Sequence, residues 1–146
     1  MILETVRGQL KDALKKQDEV VLRTLRALLA ALEYKRTQKN ADLEAEEEIA
    51  VVKNEVKKRQ EAIEIYTKYQ KSDRVNAEAA ELKVLQTFLP QQASETEIKA
   101  AIDKVKSQLG EGANRGQLIG QVIAKLGKGA VDGNTVARLV ASAKND

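Results

Sequence analysis

The sequence predicts an all-α protein, and three observations predict it. A single proline interrupts 146 residues; Ala, Glu, Lys, Leu and Gln are abundant; and apolar side chains recur every three or four positions. Apolar residues make up 42% of the chain, enough for a core. With one Phe, three Tyr and no Trp, that core has to be built from Leu, Ile, Val and Ala. The length suits one medium domain or two small ones.

Leu3, Val6, Leu10 and Leu14 mark a first amphipathic helix, and Val21, Leu25, Leu28 and Leu32 a second. Asp18 is a candidate N-cap between them, but no Gly or Pro intervenes, so one continuous helix also fits. Thr37 to Leu43 is polar and reads as a connection. Asp42 and the run Glu44, Glu46, Glu47 and Glu48 then open a long helix, where negative charge suits the positive end of the helix dipole. Ile49, Val52, Val56, Ile63 and Tyr66 carry it to about Tyr69 on a narrow seam of the kind found in helical hairpins. Ser72 or Asp73 caps a fourth helix with Val75, Ala79, Leu82, Leu85 and Phe88 inward, and Pro90 ends it. Helices two to four are expected to pack as antiparallel neighbours.

Pro90 to Ala93 is the best linker in the chain. Ser94 and Glu97 form a capping-box pattern ahead of a fifth helix, whose inward positions are Ile98, Ile102, Val105 and Leu109 and which Gly110 stops. Two short helices follow the loop from Gly110 to Asn114. The expected organisation is a helical hairpin bundle over residues 1–92 and a small three-helix domain over residues 93–146.

Composition removes several chemistries. Without Cys or His there are no disulfides, no thiol or imidazole chemistry and no zinc site of the usual kind. Met1-Ile2-Leu3 runs directly into Glu4 and Arg7, leaving no secretory apolar region. The longest strictly apolar run, Ala27 to Leu32, is far too short to span a bilayer. The expectation is a cytoplasmic protein without a membrane partner. The formal charge is +3, with 17 basic against 16 acidic residues over 1–92 and 8 against 6 over 93–146. Any nucleic-acid contact must therefore come from local patches.

No catalytic constellation stands out. Serines 72, 94, 107 and 142 sit in cap or surface contexts with no partner base. Consecutive carboxylates from Glu44 to Glu48 point around the helix instead of converging, which favours a solvated helix start over a magnesium site. Lys35-Arg36 and Lys57-Lys58-Arg59 read as solvated faces, while Arg23 and Arg26 either face a groove between helices or snorkel. No cofactor and no metal is expected.

The stretch from Arg115 to Arg138 holds five of the eight glycines. Gly116 and Gly120 lie inside a helical apolar pattern (Leu118, Ile119, Val122, Ile123, Leu126). Gly127, Gly129 and Gly133 then interrupt it before Val136, Leu139 and Val140 resume it. This predicts helix, tight turn, helix, with Gly133 available for φ > 0 and Asp132 as the N-cap of the last helix. The turn places Lys128 between two glycines. On the residues alone, those glycines either permit a close helix crossing or let the backbone approach a phosphate.

These residues resemble the C-terminal motif shared by YqeY-like proteins and the tail of GatB, a subunit of the tRNA-dependent amidotransferase. Gly116 and Gly120 match its first glycine pair, and Lys128-Gly129-Ala130-Val131-Asp132-Gly133 its second block. Gln117 and Ala130 stand where basic residues are common, and Lys125-Leu126-Gly127 is one residue longer than usual. The likeness continues through the arginine-bearing helix from Leu22 to Ala31, through Arg59-Gln60-Glu61-Ala62 and through Phe88-Leu89-Pro90, which makes the whole chain YqeY-like. The resemblance implies a non-catalytic, tRNA-binding accessory protein. It also implies an association with glutamine-dependent carbon–nitrogen ligation without activity of its own. Arg115, Lys125, Gly127, Lys128, Gly129, Gly133 and Arg138 would form the RNA-contacting surface, with amides at the last helix start meeting phosphate oxygens and with little base stacking. The alternative is a protein–protein adaptor that pairs through the long helix. A DNA-binding helix-turn-helix ranks third, because the last helix offers only Arg138 and Lys144 as long cations.

Overall fold

The computed structural model describes residues 1–143. Every regular element among them is an α-helix: α1 (Ile2–Lys16), α2 (Glu19–Lys39), α3 (Ala45–Lys68), α4 (Ser72–Gln86), α5 (Glu95–Leu109), α6 (Arg115–Leu126) and α7 (Gly133–Ala143). The chain divides into two compact units, Met1–Leu89 and Pro90–Asp146, each with its own apolar cluster. No helix among the described residues is long and apolar enough to cross a membrane.

In the N-terminal unit α1 and α2 are separate helices. Gln17 takes the left-handed conformation at φ 54°, and the Asp18 carboxylate then accepts the Val21 amide at 3.2 Å, starting α2. The polar stretch expected as a connection from Thr37 is still helical to Lys39, since Lys, Gln and Thr can extend a helix without apolar anchors. Asn40 at φ 56° ends it. Glu44 and Glu47 make a reciprocal capping box that opens α3, which runs roughly 36 Å at 1.5 Å per residue. The α4 cap differs from expectation: Lys71 occupies that position without a side-chain bond, and Ser72 is already helical. Nor does Pro90 itself end α4. The helix stops at Gln86, and tight i→i+3 bonds from Phe88 to Leu85 and from Leu89 to Gln86 carry the chain onward.

Packing centres on α2, which lies against α1, α3 and α4. Leu25, Leu28, Leu32, Val6 and Val52 are fully buried, so shortening one of these leucines to alanine would cost ~2–5 kcal/mol. Leu14, expected inside, is 51% exposed, and Ala13 takes the core position. Ala79 is exposed as well; on α4 the buried positions are Glu81 and Leu85.

Three carboxylates, Glu48, Glu55 and Glu81, are buried, the first of them in the run expected to be a solvated helix start. Glu48 accepts the Leu3 amide at 2.7 Å, satisfying a first-turn donor of α1 and placing negative charge at that helix's positive end. Met1 supplies no side-chain cap there, so α3 caps α1 through tertiary structure. Glu55 pairs with Lys58 (3.1 Å), and Glu81 bridges Arg23 of α2 (2.7 Å) and Arg59 of α3 (3.0 Å). Arg59, expected on a solvated face, has a side chain only 16% exposed and also lies 3.6 Å from Glu78. Arg26 stays exposed.

In the C-terminal unit α5, α6 and α7 pack pairwise around Ile98, Ile102, Val105, Leu118, Val122, Val136 and Val140. Ser94 Oγ accepts the Glu97 amide at 3.1 Å, but the return bond of the expected capping box is not formed. Leu109 is 41% exposed, and Ala101 is buried in the same helix. Gly110, at φ 78°, ends α5.

Candidate functional site

Asn114 opens α6 through a reciprocal box with Gln117: its Oδ1 accepts the Gln117 amide at 2.8 Å, and its own amide donates to Gln117 Oε1 at 3.1 Å. At the other end Gly127 takes φ 97°, a conformation a side chain rarely adopts, and its amide closes the helix on the Ile123 carbonyl. The sequence reading gave the positive φ to Gly133 instead. Gly133 is the first residue of α7, and a Cβ there would meet Ile123 Cδ1 at an ordinary 3.9 Å.

Hydrogen bonds fix the connection between α6 and α7. The Ala130 amide returns to the Gly127 carbonyl (3.1 Å), the Ala93 amide donates to the Ala130 carbonyl (2.8 Å), and Gln92 Nε2 donates to the Gly129 carbonyl (2.7 Å). The segment before α5 is thus tied to the glycine turn, a role for Gln92 and Ala93 that no periodicity announces. Val131 is buried and anchors the turn from beneath, while Lys128 is exposed upon it.

The start of α7 is not an open anion seat. Asp132 Oδ1 lies 3.4 Å from the Asn134 amide, Oδ2 accepts the Thr135 hydroxyl at 3.3 Å, and the Asp132 carbonyl receives the Val136 amide. A carboxylate therefore already occupies the positive end of the helix. A phosphate would have to approach through Lys128 and the glycine backbone beside it.

The structure gathers Gly127, Lys128 and Gly129 into one turn and places Gly133 at the first position of the helix that follows it. Lys125 lies two residues before it on an exposed face of α6. Partial desolvation first, and then the neighbouring Lys104 ammonium of α5, lower the Lys125 pKa below the usual lysine value. Lys104 was missed because it lies on a different helix, and only the packing of α5 on α6 brings the two ammonium groups together. Neither forms an ion pair with a carboxylate among the described residues. Arg138 is already neutralised: its Nη2 donates to Glu95 Oε1 at 2.5 Å, and that bond and charge hold the Glu95 carboxyl below its ordinary pKa. Arg115 is exposed at the first position of α6, ten residues and roughly 15 Å of helix axis from Lys125, so it stands apart from the turn.

Among the described residues no three acidic side chains converge as a metal ion would require. The arrangement offers cations and an accessible backbone, which suits holding an anion.

An uncharacterized protein of Schizosaccharomyces pombe is 30% identical over 89 residues, covering 61% of this chain and 72% of its own. The family model described as Yqey-like protein matches residues 3–143, and the chain belongs to that family.

Proposed function

We propose that this protein is a non-catalytic accessory that binds tRNA through the α6–α7 turn. The observation that carries the reading is the Lys104–Lys125 ammonium pair: among the described residues it has no carboxylate ion-pair partner, and it adjoins a glycine turn that exposes Lys128. Two ammonium groups held close repel each other, and a phosphate oxygen placed between them relieves that repulsion. Glycines on both sides of Lys128 leave room for the sugar–phosphate backbone. The unit containing this turn has no aromatic residue, so recognition there is by shape and charge. Within glutamine-dependent carbon–nitrogen ligation, such a module would help position the tRNA and leave the chemistry to other subunits.

Titration of wild type and Lys128→Glu against tRNA at two salt concentrations tests the reading. The variant should bind more weakly, with a salt dependence flatter by about one unit of slope or slightly less, at unchanged helicity. Equal affinities at both salts would end the assignment.

A further inference from the structure

The chain's four aromatic residues all lie in the N-terminal unit, and two of them, Tyr66 and Tyr69, close α3 just before its turn into α4. The end of a packed helix ordinarily covers its large apolar groups. Here Ile65 and Tyr69, four residues apart and so on one face, remain 56% and 66% exposed. Three exposed cations lie near them along the chain, Lys68, Lys71 and Arg74, and none forms an ion pair with a carboxylate among the described residues. The Arg74 guanidinium lies over the Tyr66 ring, 5.5 Å from its centroid, with Nη1 at 3.4 Å from the hydroxyl. The backbone beneath is fixed: Gln70 is left-handed at φ 56°, and the Lys71 amide donates to the Tyr66 carbonyl at 2.8 Å. Aromatic and cationic groups are thus held together on one rigid tip.

We infer that the α3–α4 connection is a second RNA contact, which takes an unpaired stretch of the strand. A base stacks on Tyr69, and the flanking phosphates meet Lys68, Lys71 and Arg74. An acidic peptide would be served by the cations alone and has no use for an exposed planar ring. An apolar partner helix would want Ile65 and Tyr69 without three cations nearby. A nucleotide carries both a π-face and an anion, and that combination is the one single-strand binders use. The inference shares its RNA partner with the function proposed above but none of its residues.

Because the chain lacks Trp, its intrinsic emission comes from three tyrosines, and stacking on Tyr69 is directly visible. The full-length protein is titrated with a short oligouridylate RNA and, separately, with tRNA. Wild type should bind the oligouridylate with quenching of tyrosine emission. Tyr69→Leu should weaken that binding by roughly 5- to 150-fold at unchanged helicity, whereas Tyr69→Phe should retain it. The side chain is mostly exposed, so its loss leaves the core intact, as circular dichroism would verify. No binding of oligouridylate by wild type, or equal affinity of the folded Tyr69→Leu variant, would overturn the inference. So would displacement of the oligouridylate by a polyglutamate peptide at equal charge concentration, which would point to an acidic protein partner. Lys128→Glu separates the two readings, because it should weaken tRNA and spare the oligouridylate. An inert Tyr69→Leu beside an effective Lys128→Glu sinks this inference alone; the reverse pattern sinks the turn alone.

Discussion

Arg59→Met is the most informative change to the N-terminal unit. The Arg59 side chain is 16% exposed and lies among three carboxylates, 3.0 Å from Glu81, 3.6 Å from Glu78 and 3.7 Å from Glu55. Removing one partner of a buried ion pair typically costs about 3–5 kcal/mol, since the other charge is left buried and unpaired. Here the remaining carboxylates are not all stranded. Glu81 keeps Arg23 at 2.7 Å, Glu55 keeps Lys58 at 3.1 Å, and Glu78, 24% exposed, can turn to water. The expected loss is therefore about 2–4 kcal/mol, toward the lower part of that range and below it. Urea denaturation at neutral pH should show a lower midpoint with an unchanged slope. Adding Glu81→Leu should recover part of the loss, because it removes a buried carboxylate left with a single partner and frees only Arg23, whose side chain is 61% exposed. A loss of roughly 0.5 kcal/mol or less for Arg59→Met would mean that the residue behaves as a surface pair, and the account of a buried network would fail.

Two further outcomes are expected. Residues 93–146 expressed alone should give a helical circular-dichroism spectrum and a cooperative melt, a demanding test because domains near that size are marginally stable; a disordered fragment would show that the two parts share their stability. The Arg138 bond depresses the folded Glu95 pKa, so its contribution to stability is present above the unfolded pKa and is lost as pH falls through the folded one. A carboxyl titration followed by NMR should place Glu95 below ordinary glutamate, return it toward that value in Arg138→Ala, and show a smaller difference at high salt because both groups are exposed. An unchanged titration in Arg138→Ala would remove this pair from the account.

Apolar periodicity carried most of the helical architecture, because Leu, Ile and Val at 3–4 spacing have one low-energy use in a chain with a single proline. What it missed were charges on the buried stripe. Glu48, Glu55 and Arg59 share the 3–4 spacing of Val52 on α3, and their burial is made tolerable by the Leu3 amide of α1 for Glu48, by Glu78 and Glu81 of α4 for Arg59, and by Lys58 and Arg59 of the same helix for Glu55. Helix ends were misjudged where polar residues extend a helix, as at Thr37 to Lys39, since nothing apolar marks their state. In the glycine turn the residue types were legible, but their conformations were not. Gly127 and Gly133 are both compatible with φ > 0, and the closure of α6 on Ile123 selects Gly127. The Lys104–Lys125 pair and the Arg138–Glu95 bond depend on helix packing, which one strand of sequence does not display.

The central claim is that the α6–α7 turn contacts tRNA. Backbone amide NMR of the full-length protein during tRNA addition tests it most directly, because it reports position by position where the RNA lands. The account predicts shifts and broadening centred on Gly127 to Gly133 and on Lys104 and Lys125, reduced in Lys128→Glu. Unperturbed amides throughout the turn, under conditions where tRNA binds elsewhere on the protein, would contradict it.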